Sequence, residues 1–93
     1  MSVKVTMPMD IAKAQETIRK SYYERDSIRG LYATFTWFIE EVGELADAII
    51  KMNKDAIEEE LADVFAWLLS IANLLNVNLE EAFRKKYGNS SGY

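Results

Sequence analysis

Apolar residues recur every three or four positions over most of this chain, and this spacing restricts what the sequence can fold into. Ile11, Ala14, Ile18 and Tyr22 follow it in the first segment, and two longer segments follow it later. Such spacing places side chains on one face of an α-helix, whereas a strand needs alternation with a period of two. No run shows sustained alternation, so we predict an all-α protein in which only residues 3–6 are compatible with a short extended arm.

Turn and capping residues divide the pattern into four helices. Pro8 and Asp10 mark the first helix start, and Gly30, within the turn-like segment 26–30, supplies a break before the second helix. Two further residue pairs have the form of capping signals: Asp55 with Glu58, and Asn78 with Glu81. We therefore predict helices over about 8–27, 31–52, 56–75 and 79–87, and we expect residues 1–7 and 88–93 to be flexible.

The two central helices carry apolar stripes that we expect to pack against each other as an antiparallel pair. The stripes are Phe38, Val42, Leu45, Ile49 and Met52 in the second helix, and Ile57, Leu61, Val64, Leu68, Ile71 and Leu75 in the third. The third helix has additional apolar residues that one partner cannot cover: Phe65, Trp67, Leu69 and Leu74. We predict one domain, residues 1–93: a compact bundle of about four helices with a central antiparallel acidic pair, oligomerising into larger bundles as a dimer or tetramer.

Composition excludes several kinds of chemistry and several partners. The chain has no Cys and no His, which excludes disulfides, thiolate zinc sites, cysteine nucleophiles and the commonest general base. Its net charge of -4 argues against binding long nucleic acid, which needs clustered Lys and Arg. The most apolar run, 64–75, would span about 18 Å as a helix, short of a bilayer core of about 30 Å. With no secretory signal pattern at the N-terminus, we expect a cytoplasmic protein without a membrane partner.

Two pairs of acidic residues stand out within the central helices. Glu41 and Glu44 lie one turn apart, and Glu60 and Asp63 repeat that spacing. Asp63 lies among apolar residues in LADVFAWLL, where an unpaired carboxylate is costly unless it binds a cation. Carboxylate oxygens favour hard ions such as Mg²⁺ or Mn²⁺, which commonly bind together with substrate phosphates. Two alternatives stay open: ordinary solvated helix glutamates, or a non-enzymatic acidic helical module that docks a basic partner.

The two acidic motifs also resemble those of a known family. EEVGE at 40–44 and ELAD at 60–63 resemble the EExxE and ExxD signatures of MazG-like nucleoside triphosphate pyrophosphohydrolases, in the all-α NTP pyrophosphatase superfamily. The resemblance covers most of the chain. It implies Mg²⁺-dependent hydrolysis of the α-β phosphoanhydride of an NTP or dNTP to a monophosphate and pyrophosphate, in nucleotide-pool house-cleaning.

The resemblance also implies roles for individual residues. The metal ligands would be Glu41, Glu44, Glu60 and Asp63, for Mg²⁺ with Mn²⁺ as a substitute. Glu40 would hold a second metal ion or orient and deprotonate the attacking water. Four further residues are expected to contact the nucleotide, although each also has an ordinary structural role open to it: Lys86, Trp67, Trp37 and Arg29.

Overall fold

Four α-helices make up most of residues 8–88, the part of the chain that the computed structural model describes. They are α1 (Ile11–Arg29), α2 (Leu31–Ile50), α3 (Lys54–Leu74) and α4 (Leu79–Tyr87). No strand occurs between residues 8 and 88, so the all-α prediction is confirmed. The predicted arm at 3–6 and most of the predicted flexible ends lie outside the described residues, apart from Gly88, which caps the end of α4.

Side-chain oxygens begin three of the helices. Asn78 caps α4 by accepting from the Glu81 N–H, as predicted. Asp10 caps α1 by accepting from the Lys13 N–H, so α1 begins at Ile11, later than the predicted start at about residue 8. The predicted Asp55 cap is wrong, because Asn53 accepts from the Ala56 N–H at 3.1 Å and α3 starts earlier than expected. Asp55 instead lies in the first turn of α3, where its negative charge interacts favourably with the positive end of the helix dipole.

A single glycine separates α1 from α2. Gly30 has a φ of 94°, a value that residues with a side chain rarely adopt, and its N–H donates to the Asp26 carbonyl oxygen at 2.8 Å. The predicted turn at 26–30 is therefore too long, because α1 continues to Arg29. Asp26 is a buried residue in the last turns of a helix and not a turn residue.

Helices α2 and α3 form an antiparallel hairpin joined by residues 51–53. Trp37 stacks with Trp67, and Glu41, one turn later in α2, lies near Glu60 and Asp63, which come earlier in α3. Residue numbers therefore rise along α2 in the direction in which they fall along α3. Non-exposed positions spaced by three and four form the inner seam of this hairpin: Thr34, Phe38, Glu41, Leu45 and Ala48 in α2, and Ile57, Glu60, Val64, Trp67 and Ile71 in α3. Each helix therefore places one glutamate at a seam position that normally holds an apolar residue.

The predicted apolar stripes are only partly correct. Phe38 and Leu45 lie in the inner seam, but Met52 is 76% exposed. A second set of apolar residues, one position after the seam in each helix, is 37% to 52% exposed and includes several that we expected to face the other helix. We call it the outer stripe: Phe35, Ile39, Val42 and Ile49 in α2, and Leu61, Phe65, Leu68 and Leu75 in α3. In antiparallel helices these positions lie on the same side of the hairpin.

Polar contacts fix α1 and α4 against α3. The Gln15 side-chain amide donates to Asn73 Oδ1 at 3.0 Å and to the Val77 carbonyl at 2.7 Å, and its oxygen accepts from the Leu79 N–H. Glu80 is half-buried and accepts from the Ala12 N–H at the start of α1. These contacts hold the first turns of α1 beside the end of α3 and the start of α4.

Among the described residues, no single helix is long and apolar enough to cross a membrane. Helices α3 and α4 meet the length and composition criterion only when they are taken together, and a bend of 101° separates them.

The Asn53 cap can be tested by substitution. We expect Asn53→Ala to lower the free energy of unfolding by about 1 kcal/mol, because the Ala56 N–H loses its acceptor. Asp55→Ala is the matched control and should have a smaller effect. Urea denaturation of both variants measures the difference, and a larger loss at Asp55 would contradict the assigned cap.

Candidate metal and nucleotide site

The acidic residues of α2 and α3 converge because the hairpin is antiparallel. Glu41 of α2 lies close to Glu60 and Asp63 of α3, and the charge of Glu44 acts on both Glu41 and Glu60. We call Glu40, Glu41, Glu44, Glu60 and Asp63 the acidic cluster. Glu40 and Glu44 flank the seam on the side opposite the outer stripe, so the cluster and the apolar surface lie on different faces of the hairpin.

The cluster consists of two groups that share one residue. Carboxylate oxygens of Glu40, Glu41 and Glu44 lie within 4.8 Å of one another, and so do those of Glu41, Glu60 and Asp63. Three of the predicted ligands, Glu41, Glu60 and Asp63, therefore come together, and Glu44 joins only Glu41. Glu41 is central, since it belongs to both. Asp63 is exposed, so the expectation that its apolar neighbours in sequence would shield it from water is wrong, because it lies one position before the seam residue Val64 and not in the seam.

The proximity of these acids changes their titration. Burial, followed by the charges of Glu44, Glu60, Asp63 and Glu40, raises the pKa of Glu41. The pKa of Glu60 is raised as well, first by burial and then by Glu44, Asp63 and Glu59. Both shifts mean that the folded chain penalises the ionised carboxylates.

The donor set fits a hard divalent cation. Glu60 Oε1 is buried and has no hydrogen-bond partner within residues 8–88, whereas buried carboxylate oxygens in proteins are usually paired. None of the salt bridges in this part of the chain involves an acid of the cluster. A cation coordinated by oxygen ligands would offset both the burial and the mutual repulsion of the acids.

Three of the four predicted nucleotide-contacting residues lie together at one end of the cluster. The rings of Trp37 and Trp67 stack with centroids 6.3 Å apart, and the Arg29 guanidinium lies 5.1 Å from the Trp67 ring centroid. Asp63 and Arg29 also line the same cavity. Arg29 is not a free cation, because its Nη1 donates to Asp26 Oδ1 at 2.8 Å.

Lys86 is separate from this group. It lies on α4, which packs against α1, and its Nζ lies 5.4 Å from the Tyr87 ring centroid. No hydrogen bond or ion pair in the described part of the chain joins Lys86 to the acidic cluster. Its predicted contact with phosphate stays a prediction.

Sequence reasoning missed two polar residues beside the cluster. Asp26 is 3% exposed and Ser70 is 5% exposed, and both line the cavity that Asp63 borders. The spacing of Ile18, Tyr22 and Asp26 continues the apolar stripe of α1, so it was a signal that Asp26 faces inward. The turn-like composition of 26–30 obscured it.

Comparison with protein families agrees with this site. The model of the MazG nucleotide pyrophosphohydrolase domain matches residues 29–88, which is most of the 93-residue chain and includes both acidic motifs. The chain therefore belongs to the family of MazG nucleotide pyrophosphohydrolase domains. A search of curated proteins finds no match.

The raised pKa values predict how stability depends on pH when a chelator keeps metal away. A carboxyl whose pKa is higher in the folded than in the unfolded chain stabilises the fold below its ordinary pKa, here 4.5, and this contribution is lost as pH rises through the folded value. We therefore expect Glu60→Gln to increase stability at pH 7.5 and to weaken the decline of stability with rising pH. Urea denaturation at several pH values in chelator measures both effects.

Glu58→Gln is the matched control for that experiment. Glu58 is exposed on α3 and is not part of the acidic cluster. If the two variants gave the same stability profile, or if Glu60→Gln lowered stability at pH 7.5, the electrostatic description of the cluster would be wrong.

Proposed function

We propose that this protein hydrolyses nucleoside or deoxynucleoside triphosphates to the monophosphate and pyrophosphate in a Mg²⁺-dependent reaction. The observation that carries the proposal is the presence of two groups of three acidic residues that share Glu41, in a chain that belongs to the MazG family. An acidic surface repels a triphosphate unless cations lie between them. The proposed physiological role is control or cleaning of the nucleotide pool.

The acids have distinct roles in this proposal. Glu41, Glu44, Glu60 and Asp63 would hold Mg²⁺, with Mn²⁺ as a substitute. The bound ion would neutralise phosphate charge, orient the triphosphate and lower the pKa of water. Glu41 would fix the spacing between the two groups, because its carboxylate belongs to both.

Glu40 is our candidate for handling the attacking water. Its carboxylate is exposed at the edge of the cluster and lies within 4.8 Å of Glu41 and Glu44, so water can reach it. Hydrolysis breaks the bond between the bridging oxygen and one of the two phosphorus atoms, and the oxygen of water ends on that phosphorus. Glu40 would orient this water and accept the proton that it loses.

The outer stripe supports a homo-oligomer, either a dimer or a tetramer. Eight large apolar side chains on one face of a hairpin form a surface that soluble monomers rarely expose. Within residues 8–88, only three apolar residues are buried, so one subunit has a thin core: Ala48, Leu69 and Ala72. A second copy offers a stripe of the same spacing, and two hairpins would pair as a four-helix bundle.

The reaction is tested by measuring pyrophosphate release from canonical and modified NTPs and dNTPs, with Mg²⁺ and with excess chelator. We expect release with Mg²⁺, an equimolar monophosphate, and none with chelator. Asp63→Asn should lower kcat/KM by about a hundredfold or more, because neutralising one ligand weakens both metal binding and its orientation.

Asp55→Asn is the matched control, since Asp55 is exposed outside the cluster, and it should retain wild-type activity. Full activity in Asp63→Asn at saturating Mg²⁺ would contradict the assigned site. Absence of release from folded, oligomeric protein across the panel would instead favour the acidic module that docks a basic partner.

The outer stripe predicts the effect of a charge on assembly. Ile39→Asp should convert the oligomer to monomer, because an aspartate buried against the second copy has no cation to pair with. Ile28→Asp, on an 83% exposed isoleucine of α1, is the matched control and should leave the assembly intact. Light scattering after size-exclusion chromatography measures both masses, and an unchanged mass in Ile39→Asp would exclude the outer stripe as the interface.

A further inference from the structure

A cavity of about 220 Å³ lies between α1 and α3, directly beside the acidic cluster. Asp63 borders it on one side, Tyr22 and Trp67 contribute aromatic walls, and Arg25 and Arg29 contribute guanidinium groups. Planar aromatic and guanidinium surfaces are those on which proteins place flat nucleobases. The cavity therefore has suitable walls for the part of a nucleotide that lies beyond its phosphates.

Asp26 lines this cavity, and only one of its two carboxylate oxygens accepts a hydrogen bond from a described residue. Its side chain is only 4% exposed, and its Oδ1 accepts from Arg29 at 2.8 Å. No described residue donates a hydrogen bond to the second oxygen, which is not fully buried and belongs to a residue that lines the cavity. An unpaired acceptor that borders a cavity is suited to receive an N–H group from a ligand.

The hydroxyl of Ser70 is the second unpaired group. Ser70 is 5% exposed, lies two helical turns beyond Asp63 on α3, and borders the same cavity. Its hydroxyl makes no hydrogen bond to any residue between 8 and 88. Two largely buried residues, one from each wall, therefore border the cavity with an oxygen that has no hydrogen-bond partner among residues 8–88, where a ligand would pair both.

We propose that this cavity binds the base of the substrate, that Asp26 determines which base is accepted, and that the Ser70 hydroxyl strengthens binding. The inference rests on the proposed hydrolysis of nucleoside triphosphates, because the base must lie beside the cluster that holds the phosphates. The selected substrates are triphosphates whose base has an exocyclic amino group next to an unprotonated ring nitrogen, as in cytosine and adenine.

The hydrogen-bond pattern of the Asp26–Arg29 pair gives this selectivity. A carboxylate oxygen only accepts, and guanidinium nitrogens only donate. When the exocyclic group of the base lies beside Asp26 and the adjacent ring nitrogen lies beside Arg29, the matching base has an amino donor next to an unprotonated ring nitrogen, as cytosine and adenine do. Uracil and hypoxanthine have a carbonyl in place of the amino group, so the carbonyl oxygen would face the carboxylate and both would remain without a donor.

Binding of nucleotides that cannot be cleaved tests the inference without requiring turnover. The probes are the α,β-methylene triphosphates of cytidine and uridine, titrated with Mg²⁺ by calorimetry and by tryptophan fluorescence, since Trp67 borders the cavity. We expect the cytidine probe to bind about tenfold to a hundredfold more tightly. The corresponding adenosine and inosine probes should differ in the same direction.

Asp26→Asn should reduce or reverse this preference. Asparagine has nearly the same shape, and its amide oxygen can accept from Arg29 while its NH₂ group points to the cavity as a donor. That donor suits a carbonyl and not an amino group. A preference that is unchanged in folded Asp26→Asn protein would overturn the role of Asp26.

Ser70→Ala separates a role in binding from a role in folding. Removing a buried hydroxyl that has no partner should leave Tm unchanged or higher, while weakening binding of the cytidine probe about threefold to tenfold. A structural hydroxyl would give the opposite result, with a lower Tm and unchanged binding. Ser27→Ala, on an exposed serine of α1, is the matched control and should change neither.

The outcomes distinguish this inference from the proposed reaction. Turnover with equal binding of both probes, or with tighter binding of the uridine probe, would overturn the inference alone. Amino-selective binding that depends on Asp26 but occurs without turnover would support the inference and contradict the reaction. Failure of every probe to bind folded protein would overturn both.

Discussion

The placement of two glutamates inside a helix-helix seam is the constraint on which the rest of this structure depends. Glu41 and Glu60 occupy seam positions that normally hold apolar residues, and burial, followed by the charges of neighbouring acids, raises the pKa of both. Burial and repulsion oppose folding, so the hairpin must be stabilised elsewhere or by a cation. A divalent cation held by the cluster, as we propose, would offset the cost of gathering these acids.

Helix α3 connects the site to the remaining surfaces because three of its faces are in use. One face forms the inner seam with α2, a second packs against α1 through Asn73 and borders the cavity with Ser70, and a third contributes the outer stripe. The acids lie between the first two faces, away from the third. A subunit can therefore assemble through the outer stripe without covering its own acidic cluster.

Local signals in the sequence predicted the elements well, and packing decided what they could not predict. The bounds of α4 match the prediction residue for residue, since Asn78 and Gly88 mark both ends. The inner seam and the outer stripe have the same spacing and are adjacent on each helix, so periodicity alone does not indicate which one is buried within a subunit. The acidic residues of 40–44 and 60–63 were identifiable because the spacing of the acids within each helix does not depend on how the two helices pack.

Asp26 shows why part of the site was not predictable. Aspartate and serine near a glycine favour a turn, but the pairing of Asp26 with Arg29 and its burial against α3 extend the helix to Arg29. The Asn53 cap was missed for a different reason, because Asp55 and Glu58 have the same spacing as a capping pair. The Asn53 cap is a local contact, so two candidate patterns competed there, whereas for Asp26 the packing against α3, which no local pattern contains, decided the structure.

Paramagnetic broadening by Mn²⁺ would test the central claim most directly, because Mn²⁺ takes the same oxygen ligands as Mg²⁺ and broadens the NMR signals of nearby nuclei. At a small fraction of one equivalent, we predict that the side-chain carboxyl signals of Glu41, Glu60 and Asp63 disappear first and return when Mg²⁺ is added in excess. The signals of the exposed acids Asp55, Glu58 and Glu81 should persist. Equal broadening of all these acids would show that the cluster has no particular affinity for a divalent ion and would contradict the assignment of the site.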